Sequence, residues 1–507
     1  MTTLDTTKAP AATVADTDGP DPKRWLALGV IALAQLMVVL DASIVNIALP
    51  SAQRDLHIAT LSDAQWVITA YTLAFGGLLL LGGRIADFVG RKRTFLVGLI
   101  GFAAASGLGG AAVNAPMLYS SRALQGAFAA LLAPAALSLI STTFTEAKER
   151  ATAFGVYGAI AGGGAAIGLI LGGVLTEYAS WRWCLLVNIP IALGAAAAAL
   201  PLVRESAAQG NRKYDIPGAV LATAGLVALV YGFTEASKAG VGWAAGRTVA
   251  LLVAAVALLV AFVVRETRTA SPLLPLRVPL DRNRGGSYLA SLLVGGGLFS
   301  MFLFLTYYFQ RNLGYSPLRS GFAFLPFSGG IIVTAGVVSQ ILPRTGPKPL
   351  MALGMGMAAV GLLSLTQITQ GSAWVTYVLP AELLMSIGMG LVFVPLSSTA
   401  LLGVGNHDAG VASALLNTSQ QVGGSLGTAL LSTLYTGSVT SWMTSHHAVA
   451  VKTPFGLQPQ PDALIAGYHT AFTIGAGMLG IAFVVILVLI RAKKDDVPAE
   501  GGVPAVV

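Results

Sequence analysis

Gly82-Gly83-Arg84-Ile85-Ala86-Asp87-Phe88-Val89-Gly90-Arg91-Lys92-Arg93 is a short charged island between two apolar runs, residues 63 to 82 and 94 to 112. Each run is about 20 residues long, enough to cross a hydrocarbon layer roughly 30 Å thick. Glycines in the island permit a tight turn, Asp87 lies among four cations, and Asp87 and Arg91 have the four-residue spacing of a helical ion pair. Two membrane crossings joined by such a turn read as a helical hairpin.

The same alternation recurs along the chain. Fourteen apolar spans are expected, at about 25 to 49, 63 to 82, 94 to 112, 116 to 143, 151 to 175, 184 to 203, 215 to 236, 246 to 264, 285 to 309, 318 to 342, 349 to 370, 374 to 402, 409 to 436 and 466 to 490. Composition agrees: 55% of the 507 residues are hydrophobic and 10% charged, far too apolar for a soluble core. If the N-terminus is cytoplasmic, 22 of the 30 Lys and Arg residues fall on the inner side, so the positive-inside rule places both termini in the cytoplasm of a cell-membrane protein. The net charge of +8 then lines one membrane face, where anionic headgroups attract it, and is no footprint of nucleic acid. Cys184 is the only cysteine, so no intramolecular disulfide or cysteine cluster is available. Residues 1 to 22 lack a basic stretch or cleavable apolar core and read as a disordered tail.

Within the spans only Asp41, Arg122 and Glu382 are ionisable and far from the ends. At 1.5 Å per residue they lie roughly 13, 9 and 12 Å below the outer boundaries at Pro50, Pro116 and Trp374, one shared layer. A carboxylate at that depth costs roughly 2.5 to 3.5 kcal/mol on insertion scales, so charges sharing a depth on separate helices point to a common cavity for a proton, ion or solute. Two plainer readings stand beside this one. Asp41 and Arg122 could form a static pair locking two helices, and Glu382 could reach the headgroups.

The charged island closely resembles the cytoplasmic signature between helices two and three of the major facilitator superfamily. Leu40 to Pro50 is similar to the first-helix motif of its fourteen-helix drug:proton antiporters, and Arg122-Ala123-Leu124-Gln125-Gly126 to their fourth-helix motif. Trp181-Arg182-Trp183 and Asn188-Ile189-Pro190 also look like that subgroup. The resemblance implies an all-α polytopic membrane fold of two six-helix bundles plus two extra helices. The expected division is 1 to 23 tail, 24 to 204 first bundle, 205 to 266 extra pair, 267 to 491 second bundle and 492 to 507 tail. It implies that Arg122 serves proton coupling, the role that their depth in the membrane suggests for Asp41 and Glu382. It also implies that Gly83, Asp87, Gly90, Arg91 and Lys92 form a latch between the halves, although a topogenic anchor would look the same.

In the fifth span Gly164, Gly168 and Gly172 repeat every four residues, with Gly173 beside them, letting another backbone approach. Ordinary packing would need the same spacing, but the series resembles the antiporter motif of exporters. Leu169 stands where that motif usually has proline, which would remove a kink. Gly90, Lys92 and Gly98 match Gly346, Lys348 and Gly354 at identical spacing, a trace of duplication.

Candidate substrate contacts are Asn46, Gln125, Phe302, Tyr307, Asn417, Gln420 and Gln421. The rings of span nine either line the cavity or face lipid, and the polar run Asn417 to Gln421 either contacts substrate or bonds between helices. No Walker loop, nucleophile-and-base cluster or metal-ligand set appears, so no enzyme activity, cofactor or metal is expected and the proton is the coupling ion. The expectation is a monomeric proton-coupled exporter of hydrophobic or cationic small molecules, drugs or antibiotics. A lipid exporter or flippase and a non-transporting membrane sensor are the alternatives.

Overall fold

The computed structural model describes residues 22–144, 146–206, 215–238, 241–269, 272–404, 409–453 and 456–496. Most of both expected tails, 1–21 and 497–507, lies outside the described residues. Thirteen helices are long and apolar enough to cross a membrane: α1 (Arg24–Asp55), α2 (Leu61–Val89), α3 (Arg91–Gly110), α4 (Ala115–Thr143), α5 (Thr152–Tyr178), α6 (Trp183–Leu202), α7 (Ile216–Ala236), α8 (Gly246–Arg268), α9 (Arg282–Asn312), α10 (Pro317–Thr345), α11 (Pro347–Gln367), α12 (Trp374–Ala400) and α14 (Pro461–Leu489). The helix between the last two, α13 (Ala409–Ser445), coincides with the remaining expected span. It has the length, but the run from Asn417 to Gln421 makes it more polar than the others, and it survives in the membrane by packing against α2, α9 and α14. A two-stranded hairpin, Val451–Thr453 paired antiparallel with Gly456–Gln458, lies between α13 and α14.

Caps mark the helix starts. Asn114 accepts from the Met117 amide ahead of α4, and Asp281 accepts from the Asn283 and Arg284 amides ahead of α9. The charged island differs from the expected loop. Helix α2 runs on through Gly82, Gly83 and Asp87 to Val89, and Gly90 alone makes the turn, at φ 115°. Gly82 serves packing: a Cβ there would collide with the Ala130 carbonyl of α4.

The duplicated positions are equivalent in space. Gly346 also has positive φ, 80°, at the α10–α11 corner. Lys92 Nζ donates to the Leu200 carbonyl at the end of α6 (2.7 Å), and Lys348 Nζ to the Leu487 carbonyl at the end of α14 (2.8 Å). Each lysine thus caps the last helix of its own bundle.

Helices α1 to α6 pack as one bundle and α9 to α14 as the other. The hairpin α7–α8 lies over the α2–α13 seam, with Gln65 Nε2 donating to Thr234 Oγ1 (3.3 Å) and Thr433 Oγ1 to the Phe233 carbonyl (2.9 Å). Along that seam Thr72 and Ser425 hydroxyls meet at 2.5 Å, and Thr418 Oγ1 donates to the Gly76 carbonyl at 3.2 Å.

Counting α13 with the thirteen, the even number of long helices puts the described ends, Pro22 and Asp496, on one face, the termini face. At the opposite face the bundles are sealed. Tyr307 Oη and Arg311 Nη2 both donate to Gln53 Oε1 (2.6 and 2.7 Å), Gln310 Nε2 to the Ile47 carbonyl (3.0 Å), and the Leu318 amide to Glu177 Oε2 (3.0 Å). An apolar core joins the halves there, running from Ile44 and Leu49 to Phe304 and Met385. Toward the termini face α5 and α10 part: Gly155 and Gly158 on one, and Gly329 and Gly336 on the other, have open space where a Cβ would project.

Candidate proton-coupling site

The tryptophan-arginine turn ahead of α6 pins that helix to α1. Trp181 Nε1 donates to Asp55 Oδ2 at 3.0 Å, Arg182 Nη1 pairs with the same carboxylate, and Arg182 Nη2 donates to the Ala112 carbonyl at 2.9 Å. Asn188 lies within α6, five residues after Trp183, and this anchoring brings it beside the middle of α1.

Asp41 is there, wholly buried. Arg122 Nη1 of α4 donates to its Oδ2 at 2.5 Å; Gln125 Nε2 and Asn188 Nδ2 donate to its Oδ1 at 3.0 and 2.8 Å. Arg122 is itself 1% exposed, and its Nε donates to the Val67 carbonyl (2.9 Å), its Nη1 to Gln125 Oε1 (2.7 Å). The Tyr71 ring lies 4.5 Å from the guanidinium carbon, and Ser106 Oγ accepts from Gln125 Nε2 at 2.7 Å. Four other helices of the first bundle thus converge on one carboxylate. Every near neighbour is a donor, the arrangement an ionised carboxyl needs when water is excluded.

Glu382 does not join them. It is buried on α12, one turn before Ser386, on the face that meets Gly330 of α10. Neither of its oxygens has a hydrogen-bond partner. Equal depth on two helices fixes height, not azimuth, and α12 turns Glu382 toward its own bundle.

The sequence pattern of the Major Facilitator Superfamily matches residues 31–428, most of the length. The chain belongs to this superfamily. It is 49% identical to the puromycin resistance protein of Streptomyces alboniger, over 95% of this chain and 94% of that one. It is 40% identical to the cephamycin export protein of Amycolatopsis lactamdurans, over 93% of each. The crystal structure of the POT family transporter PepTSo superposes with a TM-score of 0.67 at 14% identity, covering 93% of this chain and 98% of that one, a likeness of fold. The protein is a multi-pass membrane transporter of this superfamily and not an enzyme.

The superfamily's other motifs occupy definite places. At the termini face Arg91 Nη2 donates to Asp87 Oδ1 (3.3 Å), and the Lys92 and Arg93 amides donate to the Glu205 carboxylate (3.0 and 3.2 Å). A Cβ on Gly90 would strike that carboxylate, while one on Gly83 would only touch Pro134. Among the described residues no hydrogen bond or ion pair ties Asp87 or Arg91 to α9–α14; Arg84 Nη2 reaches beyond the bundle to the Pro272 carbonyl (3.5 Å). In the glycine series, a Cβ on Gly164 would press on Val39, one on Gly168 would coincide with Ser43 Oγ, and one on Gly172 would meet Ile44, all on α1. Gly173 instead meets Leu318 at the start of α10. Helix α5 runs unbroken through Leu169.

Of the candidate substrate contacts, Gln125 belongs to the Asp41 network, and Asn46 Nδ2 bonds back to the Ala42 carbonyl (3.1 Å). Most of the span-nine rings are buried among their neighbours, while Phe299 and Phe302 stay half-buried. Phe304 packs against Tyr435 (5.3 Å between ring centres), Phe302 against Phe324 and Phe327 of α10 (5.1 and 5.3 Å), and Tyr307 is buried at the sealed face. The reason is that α9 is enclosed by α12, α13 and α14. Asn417 is exposed and bonds back to the Ser413 carbonyl (3.1 Å); Gln420 is half-buried; Gln421 lies against Gly76 with its Oε1 unpartnered. Asn188, Tyr71 and Ser106 were not expected in the site. A buried amide at the start of a span was the one signal pointing to Asn188.

Proposed function

We propose that this protein is a proton-coupled exporter of hydrophobic or cationic small molecules, antibiotics foremost, in the cytoplasmic membrane, with both termini in the cytoplasm. The reading rests on Asp41, a carboxylate enclosed by three donors at the middle of a helix that meets the other bundle across the far-face seal. With cytoplasmic termini, the arrangement described is inward-open with its outer face sealed. The donor cage then suits the moment after Asp41 has released its proton inward. Rocking of the bundles would open the outer face, and a proton arriving there would neutralise Asp41, weakening its hold on Arg122. Glu382, buried without a counter-charge, is the second group of this mechanism: burial keeps it neutral while it is enclosed, and exposure to water would let it exchange a proton or meet a cationic cargo. One proton crossing about 100 mV releases about 2.3 kcal/mol, enough for a substrate gradient of roughly 40-fold. The relatives' names make puromycin and cephamycin the first compounds to try.

The test is efflux from proteoliposomes under an imposed pH gradient. Wild-type protein accumulates or expels drug in proportion to the gradient, and Asp41→Asn responds to drug concentration alone. Gradient-driven efflux that persists in Asp41→Asn sinks the reading. A lipid cargo is separated by running a fluorescent phospholipid beside the drugs.

A further inference from the structure

We infer that Asn188 is a positioning residue for proton exchange at Asp41, its amide donating to the ionised carboxylate and, turned over, accepting from the protonated one. The inference rests on the reading of Asp41 as proton carrier.

A carboxylate sealed from water needs donors when ionised; once it binds a proton, R–COO⁻ + H⁺ giving R–COOH, it carries an O–H that needs an acceptor. Three side chains bond the Asp41 carboxylate, and two of them cannot change role. Arg122 has only donors. Gln125 is fixed at both ends, with Oε1 accepting from Arg122 Nη1 at 2.7 Å and Nε2 donating to Ser106 Oγ at 2.7 Å. Reversing it would push its NH2 group against the guanidinium.

Asn188 differs. Its Nδ2 donates to Asp41 Oδ1 at 2.8 Å, while its Oδ1 is buried with no partner at all. Rotation about the terminal side-chain torsion, which is broad and roughly two-fold for asparagine, exchanges NH2 for C=O without backbone movement. A buried unpartnered carbonyl is an expense the fold carries in the ionised state, and the protonated state uses it. The other titratable or charged groups around Asp41 do not compete for this part. They are Arg122 of α4, Tyr71 of α2, whose hydroxyl makes no hydrogen bond, and the Cys184 thiol, engaged with Thr176 Oγ1 (3.3 Å). The proton enters from and leaves to water on either side as the bundles rock; Asn188 neither gains nor loses one.

Infrared difference spectra, acid minus alkaline, on the full-length protein in liposomes test this. A carboxylic-acid band lost in Asp41→Asn is expected at the position of a hydrogen-bonded acid. In Asn188→Leu it moves to the higher frequency of an unbonded acid, and in Asn188→Ser, whose hydroxyl can accept, it moves back. In wild-type protein with isotope-labelled asparagine, a side-chain carbonyl band shifts on acidification and fails to shift in Asp41→Asn, a result that needs no Asn188 variant to fold. Gradient-driven efflux by Asn188→Leu falls about tenfold, the weight of one hydrogen bond, while drug counterflow at equal pH changes less than about twofold. An unmoved acid band in Asn188→Leu, an unmoved asparagine band in the wild type, or equal loss of both transport modes overturns the inference alone. Absence of any band dependent on Asp41 overturns the carrier reading beneath it.

Discussion

Gln53 holds the far-face seal through a single oxygen. Replacing it by alanine leaves the Tyr307 hydroxyl and one Arg311 nitrogen without the acceptor they share at 2.6 and 2.7 Å. A neutral hydrogen bond contributes about 1 kcal/mol and one to a charged group about 1.5 to 3. Arg311 keeps its bond to Gln458 Oε1 (2.9 Å) and its place over the Tyr307 ring, so the loss falls short of the sum. We take about 2 kcal/mol, an approximately 30-fold shift toward the state open at that face. Spin labels on Val113 and Val449, both exposed on that face and one in each bundle, read the separation, and Cys184 is buried away from the labelling reagent. Gln53→Ala should transfer population to the longer distance, and Gln53→Glu, which keeps an acceptor and adds charge opposite Arg311, should reverse it. An unchanged distance distribution in Gln53→Ala would refute the pin.

Three further outcomes are expected. Gly168→Ala puts a methyl where Ser43 Oγ lies and should lower the thermal midpoint in detergent by an overpacking cost of about 1 to 3 kcal/mol, with Ser43→Ala partly restoring it. Glu149 bonds Arg24 at 2.7 Å, which holds its carboxyl below the ordinary value of 4.5. A depressed carboxyl stabilises above its unfolded value and loses that stability as pH falls through its folded one, so this tie of α1 to the residues leading into α5 is intact at neutrality. Melting curves of Glu149→Gln should differ from wild type above about pH 4.5 and converge with it in stronger acid. Removing an unpartnered buried carboxyl should not harm the fold: Glu382→Gln should melt at or above the wild-type temperature, while transport of cationic drugs falls more than that of neutral ones, measured side by side.

Hydropathy carried the helices because each crossing must satisfy its own backbone, a local requirement written in local sequence. It also carried the depth of Asp41 and Arg122, since rise per residue is fixed. Depth could not tell which way a helix is turned, and Glu382 shares the layer yet points elsewhere. Gln53 and Ser106, and the part Asn188 plays, were illegible for another reason: neutral polar side chains acquire meaning only from the partner that tertiary packing brings. The aromatic end of α9 stayed ambiguous because apolar rings suit lipid, cavity and bundle interior alike, and only the helices packed around it separate the buried rings from the half-buried ones. Gly82 and Gly83 read as turn residues because glycine serves close packing and tight bends equally.

The α7–α8 hairpin makes the molecule unlike on its two flanks. On one side, two added helices shield the α2–α13 seam from surrounding lipid; on the other, among the described residues, no added helix packs over α5 and α10. Rocking of the two bundles thus disturbs lipid unequally: on the covered flank the added pair has to slide over the seam, while on the bare flank α5 and α10 separate against lipid alone.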